Sequence, residues 1–141
     1  MKNFKVLLIS IVALLLLVLF IHVMNRAPYQ KLPQALNGIE LTMEQEVYTS
    51  STEKIGIMIH NHRETEYSGG SGGKFPIDKF FAGSWYRVPF KNDTVTSEQR
   101  IIPPGETASM YTAVSDLDAE LTPGKYRARY RGMAVPFEVK E

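Results

Sequence analysis

The chain's 141 residues carry 16 basic and 15 acidic side chains and no cysteine. That length fits one ordinary domain with an appendage, and the near balance of charge leaves no field to gather nucleic acid, so no nucleic-acid partner is expected. The lack of cysteine excludes disulfides, thiolate metal sites, a cysteine nucleophile and a lipidated cysteine, without excluding an oxidising compartment.

The first element is apolar. After "MKNFK", with Lys2 and Lys5, an apolar run extends from Val6 to Val23 with Ser10 and His22 as its weak points. A bilayer crossing needs about 17–25 such residues, whereas the core of a removable signal peptide has roughly 7–15. The following "HVMNRAP" is a poor cleavage site, so residues 1–24 are expected to form a transmembrane anchor or uncleaved signal. Lys2, Lys5 and the amino terminus oppose Arg26 and Lys31 across the run, a small bias toward an inside N-terminus. The expected location is the cell membrane, single-pass, with the C-terminal domain extracytoplasmic; a cleaved leader would instead release that domain.

Residues 25–37, "NRAPYQKLPQALN", hold two prolines and no sustained period, the composition of a short semi-extended linker. From 38 to 141 the chain is rich in Thr, Val, Ile and Tyr, and no stretch keeps a helical apolar repeat for three turns. "IELTM" and "KIGIMIH" alternate apolar residues on one face. "KFPIDKF" and "SWYRVPF" form a hairpin around "FAGS", and "TASMYTAV", "KYRARYR" and "AVPFEVK" complete the set. About seven short strands in roughly 100 residues predict an all-β fold, an immunoglobulin-like antiparallel β-sandwich after an N-terminal transmembrane helix. "LTPGKY" has the parts of that architecture's tyrosine corner: Leu121 plugs the core, Pro123 and Gly124 turn the chain, and Tyr126 opens the next strand. Two residues later Ala128 stands where antibody domains carry a cysteine.

"IMIHN" ending in Asn61, Tyr67 and Gly69 before the next strand, Gly83 and Trp85 in a G-x-W hairpin, and "LTPGKYR" together resemble a bacterial Ig-like domain of Gram-positive cell-envelope proteins, over about residues 38–141. The resemblance implies a fold and export but no reaction. "GGSGG" at 69–73 is longer and looser than that pattern and reads as flexible linker, and Trp85 lies too far after "IGIMI" to be the usual core tryptophan.

Four groups of side chains suggest chemistry. Asp116, Asp118 and Glu120 alternate as in a calcium loop, but Leu121 and Arg127 stand where the loop needs Gly and Glu. The preferred reading turns these acids to water, with Leu117, Ala119 and Leu121 inward. By the same alternation Lys125, Arg127, Arg129 and Arg131 form a solvated basic row opposite acids such as Glu138, with an anionic lipid or wall polymer as the functional alternative. His60 and His62, with Glu64, are an alternative small-ligand or metal site; no fourth ligand is evident, so no metal or other cofactor is expected. Phe80, Phe81, Trp85, Tyr86 and Phe90 exceed what one sheet face hides, which makes them a candidate contact surface for a protein, glycan or membrane. No serine stands in a nucleophile elbow and no Gly-rich loop leads a strand into a helix, so the chain is not expected to be an enzyme. The expected role is a non-catalytic, membrane-anchored interaction or assembly module of the bacterial cell envelope, with an envelope protein or polymer as partner.

Overall fold

The computed structural model describes residues 1–69, 73–94 and 99–141. Helix α1 (Lys2–Met24) is apolar from Val6 to Val23 apart from Ser10 and His22, and no residue of it is buried in the sandwich. It is long and apolar enough to cross a membrane. The strands that follow are β1 (Ala35–Leu36), β2 (Ile39–Met43), β3 (Val47–Thr49), β4 (Lys54–Asn61), β5 (Tyr67–Gly69) and β6 (Ile77–Phe81). After them come β7 (Ser84–Arg87), β8 (Arg100–Ile102), β9 (Thr107–Ala113), β10 (Gly124–Tyr130) and β11 (Met133–Lys140). Among the described residues, the strands of four residues or more coincide with the seven segments marked by alternation. The central part of the "GGSGG" stretch, 70–72, lies outside the described residues.

The strands form two facing sheets, β1-β2-β4-β9 and β3-β11-β10-β6-β7, with β5 and β8 as a small separate pair. β3 lies parallel to β11, and the other pairs are antiparallel. The period-two pattern decides which side chains meet. Ile55, Ile57 and Ile59 of β4 and Met133, Val135, Phe137 and Val139 of β11 all point into one core. Each such apolar side chain contributes roughly 1.5–3 kcal/mol through burial.

Two-residue turns join the main hairpins. In the β6–β7 turn both Ala82 (φ 47°) and Gly83 (φ 80°) are left-handed, the geometry that matches the twist of the flanking strands. The β10–β11 turn repeats it with Arg131 (φ 43°) ahead of Gly132.

At the corner, the Tyr126 hydroxyl donates to the Thr122 carbonyl over 2.7 Å. Its ring stacks on Phe137 with centroids 5.5 Å apart, and Leu121 is buried below. The preceding acids depart from the expected extended alternation. Residues 114–116 form a single 3-10 turn, and Ala119 is exposed although Leu117 and Leu121 are buried. The cause is pairing with the segment after β7: Lys91 N–H donates to Asp116 O and Asp118 N–H to Pro89 O, which holds this stretch outside either sheet.

Residues 25–37 do not stand free as a tether; they lie against the sandwich as a strap. The Ala27 N–H donates to Trp85 O, and the Arg87 N–H donates to Asn25 O, so Asn25–Ala27 add to the β7 edge. The strap then crosses the outer face of the five-stranded sheet and reaches β11, where Ala134 N–H donates to Pro33 O. Pro136 fits this arrangement. Ala134 N–H serves the strap and Glu138 N–H serves Glu46 O on the same edge of β11, and position 136 lies between them, where a missing N–H costs no pairing.

Candidate functional site

The β6–β7 hairpin and the strap bring aromatic, charged and amide side chains together. Strand alternation divides the hairpin's aromatic residues between two faces. Phe80 and Trp85 are register partners on the outer face, with ring centroids 5.0 Å apart. Phe81 and Tyr86 lie on the opposite face, 6.5 Å apart. Phe90 joins neither pair; it is half-buried, bridges to Leu117 and lies under the Lys74 ammonium, 4.3 Å from its ring. Four of the five candidate contact residues therefore share one hairpin, and the fifth caps the core edge.

Trp85 is not a core residue. Its ring faces the Arg127 guanidinium at 4.8 Å, a cation–π contact on the outer face. Phe75 and Ile77, each almost fully buried, stand in the core instead.

Arg127 corrects the expectation of a fully solvated basic row: it is 3% exposed. Alternation points it outward as expected, but the strap lies over it. Its Nε donates to Asp78 Oδ2 over 2.7 Å, and its terminal nitrogens donate to the carbonyls of Gln30, at 3.0 Å, and Tyr29. Arg129 Nε stands 2.7 Å from the same Asp78 oxygen but off the line a hydrogen bond needs. Asp78 is fully buried, and two guanidinium groups balance its charge. Lys125, by contrast, is exposed and in register with Glu138.

Gln30 completes the assembly. Its amide nitrogen donates to Trp85 O at 3.1 Å and to Ala27 O at 2.9 Å, and its amide oxygen accepts from Trp85 N–H at 2.8 Å. One side chain thus serves both backbone groups of Trp85, as a neighbouring strand would.

The end of α1 joins the same hairpin. His22 is hydrogen-bonded through Nε2 to the Tyr86 hydroxyl, and its ring lies 6.4 Å from that of Phe81. Arg87 donates to the Met24 carbonyl at 2.9 Å, a cation at a helix C-terminus where the unpaired carbonyls favour one. A strap of polar and proline-rich composition gives no signal of these contacts, because Trp85 lies 55 residues beyond Gln30 and Arg127 98 beyond Tyr29. Asp78, an acid inside a strand, was the one visible sign that something covers the outer face.

The histidine pair is placed otherwise. His60 on β4 is bonded at both ring nitrogens, to Thr42 at 2.7 Å and Thr107 at 2.8 Å, and His62 pairs with Glu40 at 2.8 Å. Among the described residues no three His, Asp or Glu side chains converge as a metal site. Asn61, the strand-ending residue, is buried and structural: its amide donates to the carbonyls of Thr65, Ile102 and Pro103. The phenols with displaced pKa lie away from the hairpin. Burial raises that of Tyr48, and a hydrogen bond to Glu44 raises that of Tyr111.

A family model described as "Bacterial Ig-like domain" matches residues 35–132. No curated protein matches. Among solved structures, a Pseudomonas fluorescens alkylpurine DNA glycosylase bound to DNA with an abasic site analog shares 9% identity at a TM-score of 0.41, over 74% of this chain and 31% of the glycosylase chain. A structural genomics target shares 19% identity at a TM-score of 0.39, over 75% of this chain and 85% of its own. Scores this low carry no argument about what the chain does.

Proposed function

Given that the chain belongs to the bacterial Ig-like domain family, we propose that it is a single-pass membrane protein that holds its sandwich on the outer side of the bacterial cell membrane and acts there as a non-catalytic interaction or assembly module. One observation supports this most. The strap runs from the end of α1 into the β7 edge and is locked by Gln30 and Arg127, so the aromatic hairpin is carried at a set position beside the apolar helix. A released domain would have no use for a joint built between helix and hairpin.

In this reading the outer face with Phe80, Trp85 and the exposed Lys125 receives an envelope protein or an anionic wall polymer, aromatic bodies and cations being the side chains that anchor such contacts. Domain limits of 1–24 for the anchor, 25–37 for the strap and 38–141 for the sandwich follow the same division.

The topology is tested with Glu64→Cys, the sole thiol in a chain that otherwise has none. Glu64 is exposed in a loop, next to Arg63. In intact cells a membrane-impermeant maleimide labels this variant, and the labelled protein stays in the membrane fraction after alkaline extraction. Labelling only after permeabilisation, or recovery of a shorter soluble chain, would contradict the proposal. A photocrosslinking residue at Phe80 then captures the partner.

A further inference from the structure

Of the hairpin's two aromatic faces, only that of Phe80 and Trp85 looks toward the strap and the basic row. The other belongs beside α1. Resting on the membrane-spanning reading above, we infer that the Phe81 face of the β6–β7 hairpin is a second membrane contact, seated in the headgroup region of the same bilayer that α1 crosses.

The first argument is depth. The apolar run Val6–Val23 rises about 27 Å as a helix, close to the ~30 Å of hydrocarbon in a bilayer. His22, in the last turn, therefore lies at the boundary between acyl chains and headgroups. Phe81 lies 6.4 Å from it, ring to ring, and Tyr86 is hydrogen-bonded to it. Whatever depth His22 has, Phe81 shares within a few ångströms.

The second is exposure. Phe81 is 62% exposed, a large apolar ring at the tip of a hairpin whose next residues, Ala82 and Gly83, are also exposed and uncharged. Tyr86, 6.5 Å away on the same face, has the amphipathic ring that concentrates in the interfacial zone, and Phe81 adds an apolar ring beside it.

The third is charge. Residues 21–34 and 79–88, the two segments that meet at this joint, contain Arg26, Lys31, Lys79 and Arg87 and no Asp or Glu. The whole chain is nearly balanced, so this is a local excess. It complements anionic phospholipid headgroups.

The test uses the full-length chain reconstituted in vesicles of equal parts phosphatidylglycerol and phosphatidylethanolamine. Three single-cysteine variants each carry an environment-sensitive fluorophore: Phe81→Cys, Leu14→Cys within the helix, and Glu64→Cys. Arg63 lines a cleft with Arg131, in the turn at the end of β10 away from the hairpin, so Glu64 is the aqueous reference. The expected result is a blue-shifted Phe81 label quenched by lipids with a nitroxide at the headgroup or upper chain, a Leu14 label quenched by deep nitroxides, and a Glu64 label quenched by aqueous iodide. A deep Leu14 label with a water-like Phe81 label overturns the hairpin contact and leaves the anchor standing. A water-like Leu14 label removes the anchor, and the contact with it. A Phe81 label that turns apolar only as protein density in the vesicle rises assigns the face to a second copy and overturns the lipid assignment. Unfolding profiles equal to that of the parent verify that each variant is folded.

Discussion

Arg127 is the residue on which the outer face depends. Removing one partner of a buried ion pair leaves a desolvated charge behind, which costs about 3–5 kcal/mol. Arg127→Leu is therefore expected to lower the unfolding free energy by about that much, read by urea titration. Replacing Asp78 by Leu in the same chain should recover much of the loss, since Arg129 is partly exposed and can turn to water. A double variant no better than the single one would show that Asp78 is not the group left stranded. Tyr126→Phe removes a single buried hydrogen bond and is expected to destabilise by about 1 kcal/mol; unchanged unfolding would deny the corner its role. The third residue is Tyr48. Its phenol is buried against the backbone of Gly56, and burial raises its pKa above the ordinary 10.0. The folded state then holds the proton more tightly than the unfolded state. That stability is complete below pH 10 and is lost as pH rises through the folded value. Alkaline titration of stability should fall more gently for Tyr48→Phe, with Tyr111 leaving a residual slope in the same direction.

At the scale of elements, the hairpin turns carry a cost that substitution can remove. Ala82 holds a left-handed conformation that an L-residue with a Cβ adopts only at about 1–2 kcal/mol, and asparagine tolerates it better. Ala82→Asn is expected to stabilise the domain by about 0.5–1 kcal/mol, measured as an upward shift of the thermal midpoint. Strand positions were legible in the sequence because alternation is a local property. "KIGIMIH" has one face that must be buried, and its limits follow from the flanking polar residues. The turn chemistry of Leu121 through Tyr126 is equally local, and the Tyr126 hydroxyl reaches back only four residues to Thr122 O. Alternation turns Arg127 outward, but its burial depends on a segment 97 residues away in the chain, which no local pattern records. Ala119 failed for the same reason: its stretch is held by Pro89 and Lys91, whose approach no local pattern records. The aromatic residues of the hairpin were recognised as too many for one face, but their division into an outer pair and a helix-facing pair needed the register of β6 against β7.

The whole molecule depends on the joint between helix and sandwich. A flexible linker would let the domain sample many orientations, whereas the strap pairs with β7, crosses the sheet and pairs again with β11. The composition of residues 25–37 conceals this, because prolines and isolated polar residues serve a docked strap as well as a free tether. Hydrogen exchange on the full-length chain in lipid nanodiscs tests the joint most directly, at the amides of Ala27 and Arg87, whose acceptors are Trp85 O and Asn25 O. A docked strap gives both amides protection comparable to that of the β6–β7 pairing, and Gln30→Ala lowers it at both together. Exchange at Ala27 at the rate of an open peptide, with the sandwich strands still protected, would contradict the account and return residues 25–37 to a tether.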